Sequence, residues 1–258
     1  MILNTPIFDF VKKYQQKEIS RFHMPGHKGQ VFLGCEPWDI TEIQGADELY
    51  EAEGIIRESE KNAAEIFSSA ATFYSTEGSS LCIRTMIGLL AMSDRREQES
   101  EQQQPWILAT RNIHRSMMDA CVLFDMPVFF LPVHAVSLDP SQNLSTYCTT
   151  QVDLREVEDI FSHASQLPAA VFITSPDYLG HETDISALAA LCHQYQVLLL
   201  VDHAHGAYHH FLQPSKNILL AGADICCESA HKTLPVLTGG AYLHLSETVV
   251  DQYANQVK

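Results

Sequence analysis

From about residue 70 onward, short apolar runs rich in β-branched and aromatic residues alternate with amphipathic stretches, and this alternation restricts the fold more than any other feature. The runs are ATFYS at 71–75, WILAT at 106–110, PVFFLPV at 127–133, AVFIT at 170–174, VLLLV at 197–201, ADICCE at 223–228 and GAYLHL at 240–245. Each has the length and composition of a strand. Between them lie helical stripes, Leu154, Val157, Ile160, Phe161 and Ala164 in one, and Ile185, Leu188, Leu191, Cys192 and Tyr195 in another, with Asp153 and Asp184 placed as N-caps. Strands alternating with helices predict an α/β fold of three layers, a mostly parallel seven-stranded sheet covered on both faces. VLLLV is apolar on both faces and is expected at the centre of that sheet.

Residues 1–54 carry turn and charge signals with little periodicity, so they are expected to form an N-terminal arm, with 55–258 as the major domain. A helix is expected over about 57–68, with Ile66 and Phe67 pointing inward. The stretch from Asp94 to Gln104 reads as a solvated, low-complexity loop. Lys and Arg number 16 against 32 Asp and Glu, a net charge of −16, which argues against nucleic acid as a partner. The seven cysteines show no CxxC spacing and sit mostly among apolar residues, which points to a reducing, cytoplasmic setting. No stretch approaches 18 uninterrupted apolar residues, and the N-terminus lacks the cationic start of a signal peptide, so a membrane partner is not expected.

Four segments carry candidate chemistry. Lys232, in ESAHKTLPVLTGG just after a strand, would alone be a solvated charge; Ser229 and His231 beside it are compact donors for an anion, and Gly239 and Gly240 let backbone approach closely. A lysine held there can form a Schiff base with a carbonyl cofactor. Asp202 ends the central strand, in VDHAHG, where ligands of open α/β sheets sit; it is either the start of a turn or the partner of a pyridine nitrogen. His203, His205, His209 and His210 in the same segment also raise a metal site, although no second ligand cluster stands at zinc-like spacing. Gly78, Ser79 and Ser80 lead into an apolar helix, either as an ordinary Ser cap or as an anion site built of N–H groups and hydroxyls. His114, in RNIHRS after the second strand, is either a helix cap or a stacking partner for an aromatic cofactor.

Together these residues resemble a known family. TPIFDFVKKY, RFHMPGHKG, GADELYEAEGIIRESEKNAAEIF, RNIHRSMM, SPDYLGHETDI, VDHAHGAY and SAHKTLPVLTGGAYLHL are similar, in order, to segments of the pyridoxal-phosphate-dependent Orn/Lys/Arg decarboxylases of the aspartate-aminotransferase fold. The resemblance implies pyridoxal 5′-phosphate as cofactor, Lys232 as the lysine that carries it, and Asp202 as the partner of its ring nitrogen. It implies that His114 stacks on the ring, that Ser79, Ser80, Ser229 and His231 hold the phosphate, and that His205 lies near the phenolic oxygen. It implies GAYLHL as an antiparallel last strand, while the lack of a second ligand cluster at zinc-like spacing leads to no metal being expected. Two positions depart from the family pattern, Glu77 where Asn is common and His203 where Glu is common. A carboxylate beside a phosphate site repels it.

The implied activity is decarboxylation of arginine, lysine or ornithine to a polyamine precursor, in the cytoplasm. Family members continue for a C-terminal small domain, so the major domain is expected to be incomplete here at its C-terminus. The alternative reading is a truncated or split-gene fragment that keeps the cofactor site but turns over weakly. The expected partners are a basic amino acid and either further copies of the chain or a separate C-terminal fragment.

Overall fold

The computed structural model describes residues 4–17, 19–92, 104–133 and 152–253, together with the backbone of 136–139 and 144–146. The chain divides into two compact units, Met1–Phe67 and Ser68–Lys258.

The first unit contains helices α1 (Pro6–Gln15) and α2 (Ile55–Phe67), packed on each other, with a 3₁₀ turn at Glu36–Trp38 between them. Pro6 opens α1, where its missing N–H is one the helix would leave unpaired anyway, and Lys12 and Lys13 close it against the negative end of the dipole. Asp47, at positive φ, ties down the turn before α2. Its carboxylate accepts the N–H groups of Glu48, Glu53, Gly54 and Ile56. Slight burial opposes ionisation, and these bonds outweigh it, holding the carboxyl at about 2. α2 begins earlier than its apolar pattern suggests, and of the two residues expected inward it buries Phe67 but not Ile66. Glu60, Ala63 and Phe67 are buried whereas Ile66 is 40% exposed, because the packed stripe steps by three and four residues and leaves Ile66 off it.

The second unit is the sheet. All seven expected strands form: β1 (Ala71–Ser75), β2 (Ile107–Ala109), β3 (Val128–Phe130), β6 (Ala170–Thr174), β7 (Leu198–Asp202), β8 (Ile225–Glu228) and β9 (Ala241–Leu245). Their order is β1-β9-β8-β7-β6-β2-β3. β9 runs antiparallel to both β1 and β8, and the other pairings are parallel. β7 is the middle strand, buried along its whole length, as the VLLLV run requires. An antiparallel pair that the sequence pattern did not announce, β4 (Val136–Asp139) with β5 (Leu144–Thr146), lies outside this sheet.

Helices cover both faces. On one, α3 (Ser79–Met92), α4 (Arg115–Leu123) and α8 (Glu247–Gln252) pack Ile83, Met86, Met117 and Val249 against Phe172, Leu200, Ile225 and Leu243. On the other, α5 (Leu154–His163) and α6 (Ile185–Gln194) pack Val157, Phe161, Leu188 and Cys192 against Val171, Ile173, Leu199 and Val201. Each buried Leu, Ile or Phe contributes roughly 1.5–3 kcal/mol over its exposed state. Asp153 and Asp184 cap α5 and α6 as expected, accepting from Arg155 N–H at 2.9 Å and Ala187 N–H at 3.0 Å. The loop expected from Asp94 to Gln104 lies, up to residue 103, outside the described residues.

Candidate active site

The parallel strands β6, β7 and β8 end on the same edge of the sheet, and Asp202 is the last residue of the central one. It is 2% exposed. Its Oδ1 accepts the Ala204 N–H at 3.1 Å and the Cys227 thiol at 3.6 Å. Oδ2 takes no hydrogen bond that the described residues provide. With Oδ1 held by two donors and Oδ2 open, the geometry suits an N–H of a bound ring.

The turn from β1 into α3 gathers backbone N–H groups and serine hydroxyls at the start of α3. Gly78 adopts φ +70, and its N–H donates to Gly239 O at 2.8 Å, locking this turn to the loop that precedes β9. Gly239 itself has φ +99, and a Cβ there would stand 2.5 Å from Thr76 O, so no other residue fits. Ser229 Oγ donates to Ser79 Oγ at 2.9 Å, and Ser116 Oγ donates to Ser80 Oγ at 2.8 Å. Three of the four residues expected to hold a phosphate, Ser79, Ser80 and Ser229, are thus joined around the N-terminus of the 14-residue α3. The fourth, His231, turns its Nδ1 to Gly240 O at 3.0 Å, and its ring faces the position a Gly78 side chain would occupy.

His114 is the N-cap of α4. Its Nδ1 accepts the Ser116 N–H at 3.2 Å and lies 2.8 Å from the Ser116 hydroxyl. Capping and ring stacking are compatible, because the cap fixes the edge of the imidazole and leaves its faces. Ser116 bridges His114 to Ser80 and was missed as a site residue; its place two residues after a capping His was the available signal. Lys232 lies on the short helix α7 (Ala230–Thr233), with Nζ 3.2 Å from Nε2 of half-buried His205. His205 in turn meets the Tyr178 ring edge-on at 5.3 Å.

The two departures from the family pattern sit differently. Glu77 is exposed, and water screens its carboxylate. His203 is buried, its Nδ1 bonded to Ser175 O and its Nε2 4.0 Å from Glu228 Oε1. Its pKa is pushed below the ordinary value, first by burial, against the pull of Glu228. His203 and His205 therefore point to different partners, and among the described residues no group of three or more His, Cys, Asp or Glu is placed to hold a metal.

Pyridoxal phosphate needs an amine for its carbonyl, a carboxylate for its ring nitrogen and donors for its phosphate, and this edge supplies all three. Polar atoms in want of partners mark the same edge. Thr174 Oγ1, at Asp202's register neighbour, and Thr110 Oγ1 with the Asn112 amide, just past β2, are buried with no hydrogen-bond partner among the described residues. Native structures rarely leave such groups unsatisfied, since each costs about 1–3 kcal/mol.

Comparison with known proteins agrees with the geometry. The model of the Orn/Lys/Arg decarboxylase major domain matches residues 5–257. The uncharacterized protein YaaO of Bacillus subtilis is 31% identical over 99% of this chain and 53% of its own length. An arginine decarboxylase of Bacillus cereus is 30% identical over 96% of this chain and 52% of its own. The chain spans about half the length of the curated relatives it matches. In three dimensions it is similar to the lysine decarboxylase LdcF of Francisella novicida, with TM-score 0.71 at 17% identity over 98% of this chain and 38% of that one. It is similar also to an alanine–glyoxylate aminotransferase of Nostoc, with TM-score 0.54 at 13% identity over 76% and 45%. Among the described residues no helix is long and apolar enough to cross a membrane. With its sheet order, its carboxyl-edge lysine and carboxylate, and a match along nearly its whole length, the chain belongs to the Orn/Lys/Arg decarboxylase family, whose major domain it carries.

Proposed function

We propose that this chain serves a pyridoxal-phosphate-dependent decarboxylase of a basic amino acid, arginine, lysine or ornithine, in the cytoplasm. The observation that carries the reading is the convergence of Lys232, buried Asp202 and the Ser79–Ser229 and Ser80–Ser116 pairs on one edge of the sheet. The names of the relatives, arginine decarboxylase in sequence and lysine decarboxylase in structure, support the substrate class. The net charge of −16 favours encounter with cationic substrates. Six described cysteines, all free, accord with a reducing compartment.

Pyridoxal phosphate, when bound, supplies the electron sink that accepts the pair left at Cα as carbon dioxide departs. The protein's residues do the rest. Ser79, Ser80, Ser229 and His231 would hold the phosphate, Asp202 would hold a proton on the ring nitrogen, and His114 would stack on the ring. Lys232 would hold the cofactor through Nζ, and His205, 3.2 Å from that Nζ, would stand near the ring's phenolic oxygen.

Borohydride reduction of the protein with pyridoxal phosphate, followed by peptide mapping, should label Lys232. Carbon dioxide release from arginine, lysine and ornithine should then single out one of the three. A label elsewhere, or none, overturns the reading. A second reading is favoured by the half-length match to the relatives: this chain holds the cofactor, and turnover needs sequence that the relatives carry beyond the matched half. It expects labelling of Lys232 without carbon dioxide release until a C-terminal half is supplied.

A further inference from the structure

Cys227 lies on β8 directly opposite Asp202 in the parallel register, on the sheet face that packs against α3. Its side chain is fully buried. Burial, and then the Asp202 carboxylate beside it, push the thiol well above its ordinary value, so the sulfur keeps its proton and is a donor. That proton goes to Asp202 Oδ1, 3.6 Å away, the same oxygen that accepts the Ala204 N–H at 3.1 Å. The two oxygens of Asp202 are therefore unequal. Oδ1 is held from two directions, by backbone that follows the strand and by a side chain of the neighbouring strand, and Oδ2 is left for a ligand.

We propose that Cys227 is a positioning residue for the cofactor: its thiol, with the Ala204 N–H, pins Oδ1 of Asp202 and so aims Oδ2 at the ring nitrogen. The inference rests on the pyridoxal phosphate reading given above. The choice of sulfur has a physical sense. A thiol is a weak donor, so it orients the carboxylate while drawing little charge from it, and the charge stays available to the ring N–H. A hydroxyl in its place restores the orientation but competes more strongly for the same charge. An isosteric apolar residue fills the space and frees the carboxylate to rotate.

The test uses Cys227→Val, Cys227→Ser and, as control, Cys226→Val, a neighbour on the opposite face of β8. The first readout needs no cofactor. In the infrared spectrum of the apoprotein, the S–H stretching band lost in Cys227→Val should lie at the lowered frequency of a hydrogen-bonded thiol, and it should move up in Asp202→Asn. The second is the dissociation constant of pyridoxal phosphate, measured by titration. Cys227→Val should weaken binding about fivefold, equivalent to about 1 kcal/mol, with Cys227→Ser nearer to wild type and Cys226→Val unchanged. An S–H band that ignores Asp202→Asn, or equal affinity in Cys227→Val and wild type, overturns the proposal. Failure of the wild-type protein to bind pyridoxal phosphate at all would instead overturn the functional reading. If Cys227→Val does not fold, the Asp202→Asn band shift and the affinity of Cys227→Ser still decide.

Discussion

Asp202 and His203 are consecutive in the chain, yet burial acts on them in different company. Asp202 has two donors on one oxygen, whereas His203 is packed between Ser175 O, Glu228 and the His209 ring, where it is kept neutral. His209 and His210 are likewise pushed down, first by burial, with Glu182 and Glu228 pulling upward and Lys216 adding to the depression at His209. In the unfolded chain these histidines take up protons as pH falls through about 6.5. The folded chain resists that uptake. The unfolded state therefore binds more protons than the native one below about pH 6.5, and stability present above that value is lost on acidification toward the depressed native values. The urea midpoint should fall from pH 7.5 to pH 5.5, and His209→Gln should flatten the fall. A midpoint that rises over the same interval would mean that Glu228 and Asp202 hold these rings protonated in the fold.

At the scale of elements, the central strand was legible because VLLLV is apolar at every position, which only a strand covered on both faces can use. Asp153 and Asp184 were legible as caps because an acid directly before an apolar stripe has one economical place to be. The inward face of α2 was legible only in part: Phe67 is buried as expected, but Ile66, equally apolar, is not, and only packing decides between them. The β4–β5 pair was missed because VSLD and LST are short and mixed in polarity. The place of Ser116 two residues after a capping His hinted at its role, but its link to Ser80 was not legible, because it joins the starts of two helices 36 residues apart. The site depends as much on how the turn before α3 meets the loop before β9 as on any side chain, and Gly239 is the point of contact. Gly239→Ala places a Cβ 2.5 Å from Thr76 O at φ +99, a conformation that alone costs about 1–2 kcal/mol. It should lower the urea midpoint and weaken pyridoxal phosphate binding together. Gly26→Ala, whose Cβ meets nothing within 4 Å, should change neither.

For the whole molecule, the family was readable from motifs strung along the chain, but which basic amino acid the proposed activity takes was not, because arginine, lysine and ornithine differ only beyond the α-carbon groups that the proposed site would meet. The surface adds an expectation of its own. Val122 and Leu123 on α4 and Phe129 on the edge strand β3 are exposed, and Leu237, between Lys232 and Gly239, is 90% exposed. Exposed apolar side chains are costly in water, and where they cluster they mark surfaces that another protein covers. The backbone O of Leu237 accepts the Gly240 N–H at 3.2 Å but its side chain stays in water, and a further copy of the chain closing over this loop would cover it and keep water from the proposed cofactor site. Sedimentation should accordingly find a dimer or larger assembly at micromolar concentration. Leu237→Glu should shift it toward monomer and weaken pyridoxal phosphate retention, while leaving the folded sheet intact by circular dichroism. A monomer that sediments ideally and retains the cofactor as well as Leu237→Glu does would show that this surface is left to water.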